Sequence, residues 1–335
     1  MSDLISNKEY QSLKKEIGEL LAHGREQAAR AVNTILVETY WHIGRHIVEF
    51  EQSGKEKAEY GTELLDRLSK DLTLEFGKGF SRSNLIYVRK FYLTFPKSET
   101  LSHQLSWSHY FEILKADNEL ERNFYLKECE KENWSVRELK RQMKSMLFHR
   151  LALSKDKKGV LELAEKGAEI KSATDIIKDP YIFEFLGIPH QKTAESELEA
   201  RLIQNLEQFL LELGKGFAFV GRQYKITLSN RHFYVDLVFY HRILKCFVLI
   251  DLKSGEIEHY DIGQMNLYLN YFAKEENVED DNPPIGIVLG AYKDQILVEY
   301  ATENITNQLF VSKYELYLPN KQLLARELEK VLSEE

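Results

Sequence analysis

Two strand-length apolar runs lie close together in this chain, and each carries one carboxylate. They are Phe233-Tyr-Val-Asp236-Leu-Val-Phe-Tyr240 and Cys246-Phe-Val-Leu-Ile-Asp251-Leu-Lys253. Runs of this length and composition specify strands near a core. Side chains alternate faces along a strand, so Asp251 and Lys253 point one way and Leu252 the other. Asp236, on the neighbouring strand, can meet them. An Asp-x-Lys on a strand is ordinarily a surface ion pair. Here Leu237, Val238 and Phe239 flank one carboxylate, and Val248, Leu249 and Ile250 precede the other. Charges there are costly unless paired or metal-bound. Two carboxylates and an ammonium on one sheet face suit a divalent metal that drives phosphodiester hydrolysis.

Each residue type has a job in such a site. Mg2+, with Mn2+ as a substitute, takes hard oxygen ligands, so Asp236 and Asp251 are metal candidates, with the backbone carbonyl of Leu252 as a further donor. Lys253 would orient a water or stabilise developing negative charge. Gln264 and Tyr268, four apart on the next helix, share a face and could contact phosphate or position the lysine. Of the acidic residues Glu195, Glu197 and Glu199, Glu199 faces Leu202, Ile203 and Leu206 and is the one expected to approach the metal. The plainer reading of this cluster is a solvated first turn favoured by the helix dipole.

Residues 8–150 read as almost entirely helical, with Leu13, Ile17, Leu20 and Leu21 at helical spacing and a break at Gln52-Ser-Gly-Lys. Phe76-Gly-Lys-Gly-Phe-Ser81 is a glycine turn followed by an N-cap for a helix from Arg82 to about Leu93. Helix, tight turn, helix is the outline of a helix-turn-helix. Residues 151–192 read as a connector ending at Gly187-Ile-Pro-His190. From 193 to 335 the pattern is one helix over 195–213, strands near 217–228, 232–240 and 245–253, a helix over 261–273, and strands near 283–290 and 309–317. The expectation is an all-helical domain over 1–150, then an αβββαβ mixed-sheet α/β domain over 193–335.

Between Thr73 and Lys97 the only acid is Glu75, against Lys78, Arg82, Arg89, Lys90 and Lys97. Lys78, Arg82, Ser83, Asn84, Arg89 and Lys90 are therefore expected to contact nucleic acid, the first residues of the helix being those a docked helix presents. A solvated basic helix face is the alternative.

These strings resemble a known family. Asp236, Asp251-Leu-Lys253 and Gln264-x-x-x-Tyr268 look like the PD-(D/E)xK nuclease superfamily, in its RecB-like branch. More closely, Tyr40-Trp-His-Ile-Gly44, Leu105-Ser-Trp-Ser-His-Tyr110, Trp134-Ser-Val-Arg-Glu-Leu139 and the run from Phe209 to Gln223 are similar to the bacterial YhcG-like proteins. The resemblance covers nearly the whole chain. It implies a restriction-endonuclease-like domain behind a helical, DNA-binding one, with Asp236, Asp251 and Lys253 catalytic and Glu199 a helper at the metal. Arg222 and Gln223, closing the matched run, are taken as further nucleic-acid contacts. Two positions depart from the pattern. Val235 stands where proline is usual, and proline supplies no ligand. Asp251 stands where relatives carry glutamate, and its shorter reach would shift the metal slightly.

The net charge of -8 does not advertise a nucleic-acid binder, but it is unevenly spread. Residues 1–150 hold 24 Lys and Arg against 23 Asp and Glu, and the rest 21 against 30. Phosphate steering therefore needs local basic patches. Two cysteines outside any CxxC pair, an N-terminus without a basic or long apolar segment, and no run of about 18 apolar residues point to a cytoplasmic protein that spans no membrane. The leading expectation is a Mg2+-dependent DNA endo- or exonuclease acting on duplex or branched DNA. A non-catalytic DNA-binding or scaffolding protein, or an RNase, is the alternative. The long N-terminal helices offer surfaces for a homo-oligomer.

Overall fold

The computed structural model describes residues 7–53, 60–153, 155–188, 194–302, 305 and 307–333. The expected break at 52–55 and the end of the connector at 187–190 run into residues outside this set. The chain divides into two compact units, Met1–Lys140 and Arg141–Glu335.

The first unit is helical: α1 (Asn7–Ser53), α2 (Tyr60–Phe76), α3 (Arg82–Thr94), α4 (Trp107–Ile113), α5 (Glu119–Glu132) and the start of α6 (Val136–Lys144). The helical pattern before residue 50 forms the single helix α1. Gly44 lets α1 and α3 touch, since a Cβ there would lie 2.3 Å from the Val88 carbonyl oxygen. Ile47, Leu65 and Leu85 form a small core between α1, α2 and α3. The glycine turn is present, and the Ser81 hydroxyl accepts from the Asn84 amide at the head of α3. His109 closes the α4 capping box with Ser106.

The second unit adds α7 (Leu147–Ala152), α8 (Lys157–Lys166), β1 (Tyr181–Ile182), α9 (Glu195–Gln204), α10 (Leu206–Leu213), β2 (Phe217–Leu228), β3 (Arg231–His241), β4 (Cys246–Glu256), α11 (His259–Tyr271), β5 (Ile285–Tyr292), α12 (Gln295–Thr302), β6 (Gln308–Glu315) and α13 (Lys321–Ser333). The strands make one mixed sheet in the order β1-β6-β5-β4-β3-β2. β2, β3 and β4 are antiparallel, whereas β4, β5, β6 and β1 run parallel. The helix expected over 195–213 is two helices broken at Asn205, whose side-chain amide donates to the Arg201 carbonyl. An asparagine side chain that bonds the backbone one turn back competes with the helix at that point.

Alternation along the strands feeds two apolar layers. Leu198, Leu202 and Phe209 pack on one face against Leu237, Phe239, Val248, Ile250 and Leu252. Met265, Tyr268 and Leu269 of α11 pack on the other against Val238, Leu249 and Val288. Residues 151–192, read from the sequence as a connector, supply β1 and place Tyr181 and Phe183 in the first of these layers. Glu212 ties that stretch down: its fully buried carboxylate takes Arg150 at 2.7 Å, Arg141 at 3.2 Å and the Ile182 amide at 2.9 Å.

Candidate active site

Register decides what meets what on this sheet. In the β3–β4 ladder Leu237 pairs with Ile250, so the next positions outward are Asp236 and Asp251. In the β2–β3 ladder Arg222 pairs with Leu237 and Tyr224 with Val235, which sets Gln223 opposite Asp236. Gln223, Asp236 and Asp251 thus form one row across three antiparallel strands, and opposed residues of an antiparallel pair share a face. The row is where backbone pairing gives way to side chains. The Leu252 amide donates not to a strand carbonyl but to Asp236 Oδ2, at 2.8 Å.

Each carboxylate is held differently. Asp236 Oδ1 accepts from Gln223 Nε2 at 3.0 Å, so both of its oxygens are occupied. The same nitrogen donates to Glu199 Oε2 at 2.6 Å, bringing the α9 carboxylate beside Asp236. Glu199 is raised above the usual carboxylate range by burial and by the charge of Asp236, against the pull of Gln223 and Arg222. Asp251 is only 2% exposed. Its Oδ2 lies 2.8 Å from the Lys253 ammonium yet has no aligned hydrogen bond. Burial, then the neighbouring Asp236, push Asp251 up to about 7 even with Lys253 beside it.

Lys253 shifts the other way in energy: burial opposes its charge, but Asp251, Asp261 and Glu195 together raise it. The two partners differ because the ammonium collects three carboxylates, whereas the Asp251 carboxylate faces another negative group. Asp261, 3.5 Å from Lys253, sits in the first turn of α11, where it also closes a capping box with Glu258. Sequence reasoning missed Asp261; its one signal was that capping position. Glu195 accepts from the Ser254 amide at 3.1 Å and so joins α9 to the end of β4.

Gln264 and Tyr268 share a helix face, as their spacing predicts, but turn inward. Gln264 donates to the Tyr268 hydroxyl, which donates to the Tyr234 carbonyl at 3.0 Å. Tyr268 is buried, and burial is the main reason its phenol is pushed up to about 12. Asp251 and Asp236 also act on that phenol, so it lies within their field.

The residues expected to meet nucleic acid divide. Lys78 and Ser83 are exposed at the turn and at the start of α3. Arg82 pairs with Asp66 at 2.9 Å and Arg89 with Glu51 at 2.7 Å, both arginines partly exposed. Lys90 donates to the Leu114 carbonyl. Asn84 spends its amide on the Gly79 carbonyl at 2.6 Å, and its oxygen accepts from Trp107 at 3.0 Å; it locks the turn. Arg222 is exposed at the rim of the carboxylate row, and Gln223 points into it.

Among the described residues no group of three His, Cys, Asp or Glu stands at metal-binding spacing, and no helix is long and apolar enough to cross a membrane. Comparison with known proteins places the chain. Residues 174–331 match the YhcG PDDEXK nuclease domain, and residues 16–150 match the DUF1016 N-terminal domain. The YhcG protein of Escherichia coli (strain K12), which carries a provisional nuclease designation, is 38% identical over 351 residues, spanning 95% of this chain and 93% of its own. A repair endonuclease from Pyrococcus abyssi and an EndoMS–double-stranded DNA complex align at 18% and 17% identity, each with a TM-score of 0.28. They cover 39% and 40% of this chain and half of their own length, and likenesses so slight carry no argument. With most of its length matched to one relative and its two parts matched to two domain models, this chain belongs to the YhcG family, a helical DUF1016 N-terminal domain followed by a PDDEXK nuclease domain.

Proposed function

We propose that this chain is a divalent-metal-dependent nuclease that hydrolyses phosphodiester bonds in DNA. The observation that carries the proposal is the convergence of Asp236, Asp251 and Lys253 at one end of the β3–β4 pair. Asp236 and Asp251 would hold Mg2+, or Mn2+ in its place, with Glu199 drawn in beside Asp236 through Gln223. They fit such an ion in kind: all are hard oxygen donors, and Asp251 Oδ2 is buried with the Lys253 ammonium beside it but no aligned hydrogen bond. When bound, the ion supplies charge neutralisation at the phosphate and a more acidic water. Lys253, charged and held between Asp251 and Asp261, orients that water or meets the developing charge on phosphorus-bound oxygen. Tyr268 and Gln264 support the β3 backbone behind the row rather than touch substrate.

The helical unit positions the DNA. Lys78 and Ser83 offer free contacts, and Arg82, paired with the exposed Asp66, and Arg89, paired with the partly buried Glu51, can exchange those carboxylates for phosphate, because surface ion pairs contribute only about 0–1 kcal/mol. Duplex or branched DNA is the proposed partner.

A second copy of the chain is proposed to cover α1. Residues 10–32 of that helix are exposed throughout. Tyr10, Leu13, Ile17, Leu20, Leu21, Gly24, Ala28, Ala31 and Ile35 nevertheless form a seam at three- and four-residue spacing. The large side chains lie in the first half and the small ones in the middle. An antiparallel pair centred on Gly24 sets Ile17 against Ala31 and Leu20 against Ala28, large against small, with Leu13 meeting Ile35 further out; a parallel pair stacks like on like. Two glycines, Gly18 and Gly24, weaken the isolated helix, so packing must hold it.

Incubating the full chain with end-labelled duplex, branched and single-stranded DNA, and with RNA, in Mg2+ or Mn2+ tests the activity. Cleavage of DNA that disappears in Asp251→Ala, with DNA binding kept, is expected. DNA left intact under all conditions, or cut equally by the variant, refutes the proposal.

A further inference from the structure

Gln223 is the only non-glycine residue within β2 to take left-handed backbone, with φ +48. A bulky residue avoids that region unless its surroundings demand it. The ladder pairs Arg222 with Leu237 and Tyr224 with Val235 on either side, and its register shift lies earlier in the strand, between Phe219 and Gly221. The left-handed backbone itself falls at the position facing Asp236. It delivers one amide nitrogen to two carboxylates from different elements, Glu199 of α9 at 2.6 Å and Asp236 of β3 at 3.0 Å. A glutamine amide nitrogen carries two N–H groups, so one nitrogen serves both oxygens. Without it, two like-charged groups would face each other at the sheet's end with no donor between them.

We infer that Gln223 is a positioning residue of the cation site: its amide clamps Glu199 to Asp236 and thereby makes the α9 carboxylate part of the site. The sequence had suggested a nucleic-acid contact for this residue. Its amide is instead committed to the two groups that would hold the metal, and a partner of that kind fixes the orientation and availability of a ligating carboxylate. This inference rests on the cation-dependent reading above.

The test is Mn2+ binding to the full chain without substrate, followed by electron paramagnetic resonance, for wild type, Gln223→Met, Gln223→Gly, Glu199→Ala and the Glu199→Ala/Gln223→Met double variant. Met keeps the side-chain volume and removes the donors; Gly relaxes the backbone and removes the donors. Both are expected to weaken Mn2+ binding by about tenfold or more. In the Glu199→Ala background, Gln223→Met is expected to cost nothing further, because the amide acts through Glu199. Wild-type affinity in Gln223→Met, or in a Gly variant that melts at or above wild type, overturns the inference, since the residue then serves local backbone alone. An additive double variant overturns it too. Wild type that binds no Mn2+ removes the cation reading itself, and this inference with it.

Discussion

Asp251→Asn should make the metal-free protein more stable, although it destroys the proposed site. The carboxyl is raised from 3.8 to about 7, first by burial and then by Asp236. A rise of that size is a cost of roughly 4 kcal/mol, carried by the folded state when the group is ionised. At 2% exposure, solvent screens little of it. Asparagine removes this cost; the pull of Lys253 is already contained in the raised value, and Lys253 keeps Asp261 at 3.5 Å. The gain is at most about 4 kcal/mol, or roughly 8–16 °C for a unit of this size. The sign follows from linkage. A carboxyl whose folded value is raised binds its proton more tightly when folded, so its burden is absent below pH 4, grows as pH rises, and is complete above pH 7. Thermal unfolding in EDTA should therefore show the variant ahead of wild type at pH 8 and level with it or behind at pH 4. Added Mn2+ should raise wild type alone. A variant that melts below wild type at pH 8 in EDTA, or a difference that ignores pH, refutes the reasoning.

Burial alone would raise Glu212, but Arg150, Lys178 and Arg141 hold it down to about 2. It therefore adds stability above pH 4.5 that is lost as pH falls towards 2, worth about 3 kcal/mol. Glu212→Gln, which leaves Arg150 buried against a neutral group, should cost about 3–5 kcal/mol at pH 7 in urea unfolding, with the gap to wild type closing between pH 4.5 and 2. Gly44→Ala should lower the stability of the helical unit by about 1–3 kcal/mol in thermal melts, because the new methyl meets the Val88 carbonyl at 2.3 Å and backbone must move. Under mild oxidation Gly24→Cys should give a disulfide dimer on non-reducing gels, while Leu13→Cys does so only when mixed with Ile35→Cys. The native thiols of Cys129 and Cys246 are buried and pushed up to about 12 and about 11, so they do not compete. A dimer from Leu13→Cys alone would mean parallel helices.

Strand alternation made the sheet readable: runs expected near 217–228, 232–240 and 245–253 form β2, β3 and β4 at 217–228, 231–241 and 246–256. Asp251 and Lys253 share a face because a strand has period two, and that needed no coordinates. Register did need them. It depends on the turn between β2 and β3, where Ser229 and Asn230 both take positive φ, and a slip of one residue would have sent Asp236 to the other face. The role of Gln223 was invisible for the same reason: its neighbour Glu199 is 24 positions away and reaches it only through packing of α9. β1 has two residues, too few to show a period, so its stretch read as a connector. In the basic helix the arginine count was legible, but Asp66 and Glu51 approach from α2 and α1, and no local pattern announces them. Asn205 broke the expected 195–213 helix through a side-chain bond to the Arg201 carbonyl, a competition that apolar periodicity does not register.

Mn2+ titration of the full chain against Asp236→Asn measures the shared cation most directly. Wild type should bind Mn2+ in competition with Mg2+, and the variant should lose that binding while keeping its fold. Unchanged Mn2+ affinity in Asp236→Asn would show that the carboxylate at the centre of the row holds no ion.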